Sequence, residues 1–339
     1  MMKKMIFFIV VMIMVPIVLT LGFSVFSDKI TFGQGGNSLE NRLMGREVLI
    51  EINGLYKSLD VEEYVLGVMS GTIPADYDVE ALKVQAILIR TNVLKELQEK
   101  NTSDAADLSY QYLTVEDRIT LWGDKHYEKY ESLFERAVAE TAGLVIEQEK
   151  SLIMALYHEV SIGKTASASE ILDEDIFYLQ SVESSRDVEA KHYMNLVTYT
   201  WEEIGKLAAG SLESQAPEQA SETSAEPTGE DGQGMSTDTG KIPLSIVEST
   251  ENGFVKAFSV NGVVLTGQEA MERFGLSSTN FYVEEIEGGV RFVCLGKGSC
   301  LGVSQYGANC MALEGKTSEE IIRYYYQNVS LVQYGAYNN

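Results

Sequence analysis

The sequence predicts an α+β fold in which antiparallel hairpins are mixed with helices. Hairpin turn signals recur at Asn53-Gly54, Asn261-Gly262 and Glu287-Gly288-Gly289, each between strand-like runs. One long segment carries apolar residues at helical spacing, at Leu82, Ala86, Ile89, Val93 and Leu97. Strands and helices do not alternate strictly, which argues against a parallel sheet built on crossover helices. The chain has 339 residues, 45% of them hydrophobic, enough for a core, so wholesale disorder is excluded. With 26 basic and 50 acidic residues its formal charge is 26 − 50 = −24. No basic stripe interrupts that balance, so no nucleic-acid partner is expected.

The first element is an apolar run from Met5 to Phe26, preceded by Lys3 and Lys4. Its length of about 22 residues suffices to cross a bilayer as a helix. It ends Leu-Gly-Phe-Ser-Val-Phe-Ser rather than at a small-residue cleavage site, so it reads as an uncleaved anchor, the alternative being a signal peptide. The lysines would leave residues 1–4 as a cytoplasmic tip and the main domain exported, as a single-pass membrane protein. Residues 27–46, Gly-rich around Gly33 to Asn37, form a linker.

Glu47–Ile52 and Leu55–Leu59 flank the first turn. Asp60 is placed to cap a helix, with Glu63 closing a capping box. The loop Gly71 to Tyr77 leads to a second cap, Asp78, and then to the long helix, whose other face carries Glu80, Lys83, Arg90 and Thr91. That face reads either as a solvated surface with i,i+3 pairing or as the wall of a polar groove. Leu144–Ile146 and Leu152–His158 read as a further hairpin, followed by the small-residue loop Ser161 to Thr165, and Thr200 with Glu203 boxes a helix start at Trp201. Residues 211–241 are rich in Ser, Thr, Gly and acids, with almost nothing to bury, and read as a disordered insertion. Strands are expected at Phe254–Val260, Val263–Thr266, Phe281–Glu285 and Val290–Leu295. A Gly-rich block, Gly296 to Ala308, precedes two helices, one ending near Gly315 and one boxed by Thr317 and Glu320. Residues 332–339 form a tail. The tyrosines Tyr324 to Tyr326 read as core rather than as a sugar platform. Cys294, Cys300 and Cys310 lack metal-ligand spacing and read as buried free thiols.

The segments Val61 to Val68, Ile73-Pro74-Ala75, Glu80 to Ala86 with Arg90-Thr91, Tyr157-His158 with Gly163-Lys164-Thr165, and Tyr178 to Val182 stand in an order that resembles the stage II sporulation protein D and amidase-enhancer family. So do Arg273, Gly275 to Thr279, Phe281, Ser304 to Ala308, Met311-Ala312, Gly315 and Tyr324-Tyr325. The likeness spans residues 47–331, apart from the acidic insertion. The mixed elements are expected to form one compound domain or two lobes around a glycan-binding cleft; the likeness implies a lytic transglycosylase that cuts peptidoglycan glycan strands during forespore engulfment, leaving 1,6-anhydro ends. It also implies a cell-wall amidase and engulfment membrane proteins as partners, with the membrane contacted through the N-terminal segment.

One carboxyl group can run that reaction, protonating the leaving oxygen and then taking the proton of the sugar's own 6-hydroxyl. The family places a Glu directly before a hydrophobic residue and Pro. Here that position is Thr72, in Thr72-Ile73-Pro74. A hydroxyl cannot cycle a proton near neutral pH. Two readings follow. In one, Asp76 or Glu80 serves as the acid and base. In the other, the chain is a non-catalytic glycan-binding pseudoenzyme that scaffolds or stimulates an amidase. Either holds the strand through Lys83, Gln85, Arg90, His158, Ser304, Gln305 and Tyr306. The His of a Gly-His-Gly-like element is replaced at Ser299, and Ser161 and Lys164 stand where some relatives carry zinc ligands. No metal and no cofactor are expected.

Overall fold

The computed structural model describes residues 44–208 and 241–334. Strands β1 (Glu47–Ile52) and β2 (Leu55–Asp60) form the expected hairpin, in register from Glu47 opposite Asp60 to Ile52 opposite Leu55. Asn53 and Gly54 take φ of 52° and 78°, as a type I′ turn requires. Helix α1 (Val61–Ser70) begins at once. Its cap is Asp60 without the expected box: the carboxylate accepts from the N–H groups of Met44, Gly45 and Glu62, so the cap also fastens the incoming chain. Gly67 lies under the ring of Tyr112, so close that a Cβ there would sit 2.2 Å from the ring.

Asp78 caps helix α2 (Val79–Glu99) as expected, accepting from the Glu80 N–H at 2.9 Å. Leu82, Ala86, Ile89, Val93 and Leu97 are all buried, but so are Arg90 and Thr91 on the other face. The helix is enclosed because α1, α4 (Asp124–Glu140), β3 (Leu144–Gln148), α8 (Gln305–Leu313) and α9 (Ser318–Tyr325) all pack around it. The short helix α3 (Val115–Trp122) precedes α4.

β3 lies between β4 (Ser151–Leu152) and β13 (Ser330–Gln333) in a three-stranded sheet. The hairpin expected to run on to His158 stops at Leu152. The Asn92 side chain of α2 takes both backbone groups of Ala155, at 2.8 and 2.9 Å, and draws the chain out of the ladder. β5 (Tyr157–His158) instead pairs in parallel with β12 (Val303–Ser304), Ser304 standing opposite His158. A one-turn helix, α5 (Ala168–Ile171), follows.

Two further sheets use β6 (Met194–Thr200), β7 (Leu244–Ser249), β8 (Val255–Val260), β9 (Val263–Thr266), β10 (Phe281–Ile286) and β11 (Gly289–Leu295), in the orders β7-β8-β9 and β10-β11-β6. With α6 (Trp201–Ala208) and α7 (Gly267–Arg273) they enclose a separate cluster around Phe258, Phe274, Phe281 and Phe292. The rings of Phe258 meet the other three near-perpendicularly, 5.4 to 6.1 Å between centres. The Thr200–Glu203 and Thr317–Glu320 boxes form as read from sequence. Tyr325 and Tyr326 are buried, whereas Tyr324 is exposed. Cys294, Cys300 and Cys310 are buried free thiols; burial pushes Cys300 up to about 12.

One expectation is corrected. Among the described residues no helix is long and apolar enough to cross a membrane, so the structure does not support a single-pass membrane protein. The run Met5 to Phe26 and the Gly33 to Asn37 linker lie outside the described residues. So does the acidic stretch 211–241, apart from Lys241.

Candidate functional site around Thr72

Thr72 follows α1 by two residues, where the helix has run out of N–H donors and its last carbonyls need partners. Its hydroxyl donates to the Met69 carbonyl at 3.2 Å. The same oxygen accepts from the Gln85 amide at 3.3 Å. Gln305, at the first position of α8, donates from its side-chain nitrogen to the Thr72 carbonyl at 2.7 Å and to the Gln85 side-chain oxygen at 3.2 Å. The Tyr157 phenol faces the same two side chains; burial raises its pKa against the hydrogen bonds of Thr72 and Gln85. Gln85 and Gln305 are buried, 1% and 4% exposed, while Thr72 itself is half-buried. This is a closed chain of neutral groups. The Thr72 proton is held by the backbone of the preceding helix, and no carboxylate takes part.

Glu80, at the start of α2, has other partners. Glu80 accepts from Lys83 at 2.6 Å and from the Ser318 N–H at 2.7 Å. Partial burial works against its charge, but these hydrogen bonds and the Lys83 charge outweigh it and hold the carboxyl below its usual pKa. Lys83 is also bound to Glu140 at 2.6 Å. Its own pKa is raised: burial opposes the charge, and the bonds to Glu140 and Glu80 prevail. Asp76 is exposed on the loop.

Arg90 is fully buried. It reaches Glu62 through Nε and Nη2 and the Leu144 carbonyl through Nη1, and Gly143 N–H adds a further bond to Glu62. It therefore ties α2 to α1 and to β3. His158 is buried on β5, its Nδ1 donating to the Leu301 carbonyl at 3.0 Å and its Nε2 without a protein partner. Burial lowers its pKa, against the Leu301 carbonyl and the Asp187 charge. Ser304 caps α8, its hydroxyl accepting from Gly307 N–H. Tyr306, partly exposed, is anchored by its N–H to the Glu159 carbonyl.

Of the residues singled out from sequence, Thr72, Gln85 and Gln305 are thus brought into mutual contact. Lys83 and Glu80 form a neighbouring ionic cluster with Glu140, and Arg90 lies in a separate ion pair. Glu62, Glu140 and Tyr157 were not given roles from sequence. Tyr157 stands next to His158 in the sequence; the Glu62–Arg90 and Glu140–Lys83 pairs span 28 and 57 residues and leave no local signal, whereas Glu140 also meets Arg136 at the i,i+4 spacing of a helix.

A family model described as stage II sporulation protein matches residues 53–147, the segment from the first turn through the Thr72 loop and α2 to β3. Stage II sporulation protein D of Bacillus subtilis (strain 168) is 28% identical over 314 residues, covering 90% of this chain and 84% of that one. The chain thus resembles the stage II sporulation protein D family. Stage II sporulation protein D of Bacillus amyloliquefaciens is 27% identical over 82% of this chain and 76% of its own. The chain is also similar to the amidase enhancer of B. subtilis (strain 168), 22% identical over 79% of this chain and 40% of that one.

Proposed function

We propose that this chain is a sporulation protein of the cell envelope that binds peptidoglycan glycan strands without cutting them, and that it supports a cell-wall amidase. The observation that carries the reading is the neutral surroundings of Thr72. A lytic transglycosylase needs a carboxyl that gives up and regains a proton beside the scissile oxygen. Here that position holds a hydroxyl already bonded to Met69 and Gln85. Glu80 is a poor substitute, because Lys83 and the Ser318 N–H stabilise it as a carboxylate and oppose its work as an acid. Gln85, Gln305 and Tyr157 keep the polar floor that a sugar hydroxyl could meet at Thr72. The name of the amidase enhancer supports the choice of an amidase as partner.

The test is a digest of purified sacculi with the native chain and with Thr72→Glu and Glu80→Gln, scored for 1,6-anhydro muropeptides, beside sedimentation of each protein with sacculi. The native chain is expected to sediment with sacculi and release no anhydro ends, with product arising only from Thr72→Glu. Anhydro product from the native chain that is lost in Glu80→Gln overturns the non-catalytic reading. Failure to sediment overturns glycan binding.

A further inference from the structure

A second candidate binding site lies apart from Thr72, at the free edge of the β1–β2 hairpin. We propose that it takes an extended basic peptide segment, added as a strand alongside β1.

Two independent features support this. The first is the open edge. In a hairpin closed by a two-residue turn, the pair next to the turn exchanges hydrogen bonds and alternate pairs do not. With Ile52 opposite Leu55, the bonded positions of β1 are Ile52, Ile50 and Val48, and Leu49 and Glu51 turn their N–H and C=O groups away from β2. Leu49 N–H accordingly reaches outward to the Ser103 carbonyl at 2.7 Å. Its bridge to Asp104 is the one pairing on that side among the described residues. Beyond it the chain forms the 3₁₀ turn Ala105–Asp107, which stays beside β1, and among the described residues no backbone bond or bridge joins Glu51 on that side, where the cavity opens. Open edges of this kind accept extended peptides through main-chain hydrogen bonds, and pockets for alternate side chains select among them.

The second feature is the cavity that this edge borders, 710 Å³ in volume. Four tyrosines line it, Tyr56, Tyr64, Tyr110 and Tyr112. Tyr64 and Tyr112 are stacked with 7° between their planes, and Tyr56 is 68% exposed. Its carboxylates are Glu51, Asp104, Glu116 and Asp117, and no Lys or Arg lines it. Glu51 stands opposite Tyr56 on the outer face of the hairpin, both exposed. Lysine or arginine side chains on one face of the added strand would therefore meet a carboxylate and a phenol ring together, an arrangement that favours cations. The alternate side chains would point inward toward the partly buried Tyr110 and Tyr112, Tyr64 itself being fully buried behind Tyr112.

The test uses the full chain and a labelled, acetylated and amidated hexapeptide of alternating lysine and valine, read by fluorescence anisotropy. A second probe has the same sequence with every peptide nitrogen methylated, which keeps the charge and removes the strand donors. Binding of the first probe is expected to weaken by about tenfold or more on methylation and by a similar factor in Glu51→Lys. Glu287→Lys, an equal charge change on the exposed β10–β11 turn, is expected to leave it unchanged. Unaltered melting curves would show that both variants fold. No binding overturns the proposal, as does equal binding of the methylated probe. An equal loss in Glu287→Lys also overturns it, since the probe would then be reading the net charge alone.

Discussion

Glu62–Arg90 and Thr72–Gln85 both tie α1 or its end to the long helix α2, yet one crossing is ionic and the other neutral. At the first, both side chains are 0% exposed and every Glu62 oxygen is met by Arg90 or by Gly143 N–H. At the second, hydroxyl, amide and phenol satisfy one another without a charge. The difference separates holding from reacting. A saturated ion pair fixes two helices, whereas a proton-cycling acid must keep an oxygen free for its substrate. The charge buried between these helices belongs to the first kind, and the position expected to supply the second has none.

The comparison can be broken at several points. Glu62→Gln, which leaves Arg90 buried without its counterion, is expected to cost about 3–5 kcal/mol in urea unfolding. Gln85→Leu leaves the Gln305 amide short of one acceptor and Thr72 short of one donor, and about 1–3 kcal/mol is expected by the same measurement. Titration offers a further probe of buried polar groups. The folded pKa of His158 lies below its unfolded value, so the unfolded chain takes up the proton first. Its contribution is complete above about pH 6.5 and is lost as pH falls below that, so the native chain is expected to weaken between about pH 7 and about pH 5 more than His158→Gln does. Lys83→Met, at a partly exposed cluster, should cost no more than about 1 kcal/mol.

Much of the fold was legible in sequence because its signals are local. Asn53-Gly54 and Asn261-Gly262 specify turns through their own φ preferences, and Thr200–Glu203 and Thr317–Glu320 cap helices three residues away. The exceptions arise where distant residues decide. Asn92 ends the β3–β4 hairpin by binding Ala155, 63 residues on. The apolar stripe of α2 announced one buried face, but five packed elements bury Arg90 and Thr91 as well. Within the site, the residue type at position 72 could be read, and its partners could not. Gln305 arrives from 233 residues away, and the Glu80–Lys83 pair gained Glu140 and Ser318 only through packing.

The contact between Gly67 and Tyr112 has a practical consequence for engineering. Replacing a helical glycine with alanine ordinarily adds about 1 kcal/mol of helix propensity, so Gly67 would rank high on any stabilisation scan. Here the added methyl would collide with the ring and with the Leu113 carbonyl, 2.9 Å away. Here the usual improvement should act as damage, pushing an aromatic wall of the cavity out of place.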